Sequence, residues 1–124
     1  MGRTLYLGLS AVVWLGYGLF CFLSPETLAA SAGVAFTSPT GATELRAMYG
    51  GLQMALGVLA LLGLRGDASA RTALVGLGLA TAGLGSARLI GATLDGGWSA
   101  YTLFALVFEF GATAWAVSLL RRPA

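Results

Sequence analysis

Apolar residues in this chain run in four long blocks separated by short polar breaks. The blocks cover Thr4–Leu23, Leu45–Leu64, Thr72–Leu94 and Ser99–Leu120. Each is close to the ~20 residues that a helix needs to cross ~30 Å of hydrocarbon. All are rich in Leu, Ala, Val and Gly, the usual transmembrane mixture. The pattern predicts four transmembrane helices in a single domain over residues 1–124, an all-α integral membrane four-helix bundle. The breaks carry stop and start signals. Ser24-Pro25-Glu26 ends the first helix and opens a short one inside the loop 24–44, with Ser24 as N-cap and Pro25 at the first position. Arg65-Gly66-Asp67 closes the second helix, Asp95-Gly96-Gly97 turns the third into the fourth, and Arg121-Arg122-Pro123 stops the last. Arg3, the first apolar run and Ala30-Ser31-Ala32 loosely resemble a secretory signal with its cleavage site. That run is long for a signal and contains Trp14, Gly16 and Tyr17, so a retained helix is expected.

Composition supports the same picture. Of 124 residues, 57% are hydrophobic and 10% charged, against roughly 25% charged in soluble domains. A net charge of +2 gives no basic face for nucleic acid. The chain has no His, Lys or Asn and one cysteine, Cys21. It therefore lacks the commonest metal ligand and neutral-pH base, a Schiff-base lysine, an N-glycosylation site and a redox cysteine pair. No catalytic residue, metal site or intrinsic cofactor is predicted.

Orientation follows from the arginines. If the helices alternate, Arg3, Arg65, Arg71, Arg121 and Arg122 share one side, which the positive-inside rule makes the cytoplasm. Both termini are then cytoplasmic. Tyr6 and Trp115 fit the inner interface, Trp98 and Tyr101 the outer one. Rows of small residues every fourth position, Ala47-Gly51-Ala55 and Gly83-Ala87-Gly91, predict close helix packing within the bundle.

The polar residues at bilayer depth carry the candidate chemistry, because ionisable groups there are costly and seek partners. With 1.5 Å of rise per residue, Glu109 lies about 18 Å from Arg121, Gln53 about 18 Å from Arg65 and Trp14 about 17 Å from Arg3, all near the midplane. Arg88 and Tyr49 lie roughly a turn higher, Tyr17 lies between these layers, and Arg46 and Glu44 reach the outer surface. Arg46, Tyr49 and Gln53 share a face of the second helix; Thr81, Gly85, Arg88, Ala92 and Asp95 share one on the third. Glu109 shares its face with Ala105, Ala112, Thr113 and Ala116. These faces predict a polar cavity in the outer half, floored by Glu109 and Gln53, walled by Tyr49 and Arg88, and guarded by Arg46, Glu44 and Asp95. Trp14 and Tyr17 complete the lining, and Arg88–Glu109 is the expected ion pair. That pair could equally serve only to set helix register.

The string Glu44-Leu45-Arg46-Ala47-Met48-Tyr49-Gly50-Gly51-Leu52-Gln53, Arg88 and Gly91 ahead of Asp95-Gly96, and Glu109 in the last helix resemble the bacterial membrane family called domain of unknown function 4345. The R-A-x-Y-G-G string is its most specific part; Ala87 departs from the glycine common there. The resemblance implies a bacterial inner-membrane location and the polar set Arg46, Tyr49, Gly50, Gly51, Arg88, Asp95 and Glu109, but no activity. The layout is also similar to the DoxX-like group, associated with quinone-linked oxidation. Three functions follow as expectations. The first is a non-catalytic accessory protein whose cavity holds a lipid, quinone or other small amphiphile, working beside a membrane-protein partner. The second is a proton-coupled transporter using Glu109, although no polar path continues below that residue. The third is a quinone-linked redox subunit, which would need a partner's cofactor.

Overall fold

A computed structural model describes residues 2–121. Those residues form helices and no strands. Helix α1 spans Gly2–Leu23, α2 Pro25–Ala32 and α3 Pro39–Leu45; a π-helical turn, Arg46–Gly51, joins α3 to α4, Leu52–Gly63; α5 spans Asp67–Asp95 and α6 Ala100–Leu120. Four helices are long and apolar enough to cross a membrane: α1, the continuous helix Pro39–Gly63, α5 and α6. This is the architecture of a multi-pass membrane protein. Arg122, expected to help stop the last helix, lies outside the described residues.

Element boundaries differ from the apolar blocks where the polar ends are also helical. The second span starts at Pro39, not Leu45, because Ser38 caps it: its hydroxyl accepts the Gly41 amide at 3.4 Å, and Pro39 stands in the first turn. The third starts at Asp67, five residues before its apolar block. Ser24 does precede α2, but its side chain makes no cap hydrogen bond. Two helices end on glycines in the left-handed region, Gly33 after α2 and Gly96 after α5, each with φ 69°, a conformation that glycine adopts without steric cost.

The start of α1, the α4–α5 turn and the end of α6 share one end of the bundle. Arg3 reaches Asp67 at 3.9 Å, and a Cβ on Gly2 would sit 3.1 Å from Leu119. Helix α1 packs on α4, and α5 packs on α6, through backbones brought close by glycine. A Cβ on Gly57 would meet the Leu15 backbone at 2.8 Å, and one on Gly50 would meet Phe22 Cβ at 2.8 Å. Gly63 sits as tightly between Ala73 and Leu7, joining α4 to α5. The α1–α6 seam is different: aromatic side chains bridge it. Tyr6 meets Trp115 edge-on at 5.2 Å and Trp14 meets Phe108 at 5.8 Å, geometry that aromatic quadrupoles favour. Most of the apolar core, including Tyr6, Leu7, Trp14, Leu74, Leu77 and Leu119, fills the half of the bundle that carries the chain ends.

Two packing expectations are corrected. The rows Ala47-Gly51-Ala55 and Gly83-Ala87-Gly91 do not pack inside the bundle: Gly83 and Gly91 have nothing within 4 Å of an added Cβ, and the other four residues are exposed. At 100° per residue, each row is displaced from the polar face of its own helix, and the polar faces hold the interior. Tyr6 is the second correction. It is buried in the core, not set at the lipid interface, while Trp115 and Trp98 are exposed.

Gly57→Ala should therefore destabilise the fold by about 1–3 kcal/mol through overpacking, whereas Gly83→Ala should be neutral or stabilise slightly through helix propensity. Steric-trap or denaturant unfolding of the two variants in bicelles checks this; equal effects would contradict the assignment of faces.

Candidate functional site

The half of the bundle opposite the chain ends assembles its polar residues from all four spans. On α5 the interior face carries Thr81, Gly85, Arg88 and Ala92; three of these are buried and Arg88 is half-buried. On α6 it carries Leu106, Glu109 and Ala116, all buried. Gly85 lets the two helices close: an added Cβ there would lie 3.3 Å from Glu109 Cβ.

Arg88 and Glu109 meet across this contact as the sequence pattern anticipated. The guanidinium donates from Nη2 to Oε1 at 2.7 Å and from Nε to Oε2 at 3.0 Å, a bidentate fork of the strong, charge-assisted kind. The Glu109 side chain is 5% exposed and that of Arg88 24%. Below the pair, the Thr113 hydroxyl donates to the Glu109 backbone carbonyl at 2.8 Å and lies 2.8 Å from the Thr81 hydroxyl, which is hydrogen-bonded to Leu77 O at 2.9 Å. A second polar link thus ties α5 to α6 one turn deeper.

A tyrosine ring flanks the guanidinium, and a second tyrosine is linked to the first. Arg88 lies over the Tyr101 ring, 5.8 Å from the centroid, within cation–π range. The Tyr101 hydroxyl is 3.5 Å from that of Tyr17 on α1, the outer limit of a hydrogen bond. Tyr49, on the π-helical turn, is half-buried. Bidentate pairing leaves Nη1 of Arg88 without a protein acceptor among the described residues, and that nitrogen is not sealed from its surroundings. Gln53 is buried on the inward stripe of α4. Its Oε1 is the one fully buried side-chain polar atom among the described residues with no hydrogen-bond partner, a deficit that costs about 1–3 kcal/mol when left unmet.

The remaining candidates stand apart from this cluster. Arg46 turns back to α1 and donates from Nε to Phe22 O at 3.0 Å, capping that helix's last turn. Glu44 and Asp95 are exposed and make no ion pair among the described residues. Trp14 is buried in the core against Phe108. Glu109 and Gln53, expected as a cavity floor, are both buried, so the polar surface that stays reachable is Arg88 with its tyrosines. Sequence reasoning placed Tyr101 at the lipid interface, yet its hydroxyl points to Tyr17. Its signal was depth, since it stands within about a turn of Arg88's level. The π-helical turn was not anticipated either. There the Leu52 amide donates to Ala47 O, five residues back, and such turns recur at functional sites.

Fold and site together define a multi-pass, all-helical membrane protein whose last two spans are clasped by an ion pair at bilayer depth. The chain belongs to the family described as Domain of unknown function (DUF4345), whose model matches residues 3–120. No curated protein and no solved structure matches it.

Removing one partner of the pair leaves the other charge stranded. Arg88→Ala or Glu109→Ala should each cost about 3–5 kcal/mol, while the double replacement Arg88→Met with Glu109→Leu should cost less than either. Unfolding of the three variants in one lipid system checks this; additive losses would show that the charges are not coupled.

Proposed function

We propose that this protein is a non-catalytic, ligand-binding or accessory protein of the bacterial inner membrane, and that Arg88 with Tyr17, Tyr49 and Tyr101 receives the polar group of a lipid, quinone or other small amphiphile. The observation that carries the reading is the leftover edge of Arg88. An arginine N–H at bilayer depth needs an acceptor, and Nη1 has none from the protein among the described residues. Because Glu109 already balances the guanidinium charge, a neutral carbonyl or hydroxyl suits this edge better than a full anion. A purely structural role is the second reading, favoured by the closed, bidentate geometry of the pair.

Native mass spectrometry of the full chain released from lipid nanodiscs tests the proposal. A retained amphiphile is expected, with retention reduced about tenfold or more in Arg88→Gln, as for loss of a hydrogen bond to a charged group, and reduced in Tyr101→Phe, which keeps the ring. A protein that is consistently empty, or retention unchanged in both variants, refutes it and favours the structural role.

The topology proposed with this function has both termini in the cytoplasm, as the arginines at the shared end imply. In a Cys21→Ser background, Ser38→Cys should label with an impermeant maleimide added outside intact spheroplasts, and Ser69→Cys should label only after permeabilisation. The opposite pattern would invert the topology.

A further inference from the structure

At the end of the bundle that carries Arg3 and Asp67, a groove of about 310 Å³ opens between α4 and α5, lined by Leu59, Leu62, Gly63, Ala68, Ser69 and Thr72. Its back is closely packed, because Gly63 is pressed against Ala73 and Leu7. Leu59 and Leu62 make one side apolar, and Leu59 lies about 9 Å along the helix from Arg65, so the groove enters the hydrocarbon from the interface. Arg65 sits in the three-residue turn between α4 and α5, two residues after Gly63, and Arg71 precedes Thr72 in the first turns of α5. Both arginines are exposed and have no carboxylate partner among the described residues. Asp67, the acid between them, is turned to Arg3 at 3.9 Å. Ser69 makes no side-chain hydrogen bond among the described residues, whereas the Thr72 hydroxyl is spent on Ala68 O at 3.1 Å.

An apolar slot that runs into the membrane below two unpaired cations has the shape and charge of one kind of occupant. We propose that this groove binds an anionic phospholipid, with an acyl chain between α4 and α5 and the phosphate drawn to the exposed arginines Arg65 and Arg71. The occupant is distinct from the ligand of the outer cluster. The charge logic is opposite too: Arg88 is neutralised by Glu109, while Arg65 and Arg71 are not.

The test uses the purified full chain and counts lipid adducts by native mass spectrometry in titrations with phosphatidylglycerol or phosphatidylcholine of identical chains. Phosphatidylglycerol should bind preferentially. Each basic residue near an anionic headgroup contributes about fivefold, so Arg65→Gln with Arg71→Gln should weaken it about 30-fold. Ala68→Trp, which fills the groove and keeps both charges, should weaken it as well. Arg121→Gln, at the same end but on α6, should not. Equal binding of the two lipids, full retention in Ala68→Trp, a matching loss in Arg121→Gln, or competition by inorganic phosphate at the same concentrations would each overturn the proposal. Failure here leaves the outer-cluster reading untouched, because none of these variants contacts it.

Discussion

The Arg88–Glu109 ion pair is the constraint on which the rest of the bundle depends. Two ionisable groups sit on facing helices at a depth where neither is tolerated alone. Their bidentate contact, 2.7 Å at its shortest, fixes the rotation of α5 and α6 about their own axes. Once those faces point inward, Thr81 and Thr113 meet a turn deeper, Gly85 falls at the close approach of the two helices, and the exposed leucines and phenylalanines face lipid. The pair is costly as a packing device, since an apolar pair of similar size would hold the helices as well or better. Its cost is easier to understand if the arginine has a second task, and the nitrogen left over from pairing offers one.

Much of this was legible in the sequence because the membrane makes polar residues informative. Four apolar blocks located the four spans, and helix rise put Arg88 and Glu109 within reach of one another. Of the expected face Thr81-Gly85-Arg88-Ala92-Asp95, the first four positions do turn inward, because burial in lipid-facing helices is signalled by polarity, not by hydrophobicity, whereas Asp95 at the end of α5 is exposed. The same reasoning, applied fully, would have excluded the small-residue rows from the interior. A helix has one inward face, and Gly83 stands two residues, or about 200°, from Gly85. Among the glycines that do mediate packing, Gly50 and Gly57 share the side of Gln53 on the second span, and they were hidden among nineteen glycines in all.

Other features were not legible. The start of the second span at Pro39 depended on the Ser38 cap, which lies among polar residues that read as loop. The π-helical turn at Arg46–Gly51 depends on Gly50 packing its backbone against Phe22, a tertiary contact with no local signature beyond the paired glycines. Arg46 was read as a guard of the outer cluster because its charge is close by in depth. The structure spends its Nε on the carbonyl end of α1, an unmet acceptor that hydropathy does not reveal. The two ends of the molecule also differ in construction. One is an apolar core edged with arginines and bridged by aromatic pairs, and the other holds the ion pair with Tyr17, Tyr49 and Tyr101.

A structure of the full chain in a lipid nanodisc, at a resolution that shows side chains, tests the central claim most directly. Glu109 is expected to keep its fork on Arg88 while non-protein density places a polar atom within about 3.2 Å of Nη1, framed by Tyr17, Tyr49 and Tyr101. Nη1 turned onto a protein acceptor, or facing only acyl chain, would contradict it and leave the ion pair as a lock and nothing more.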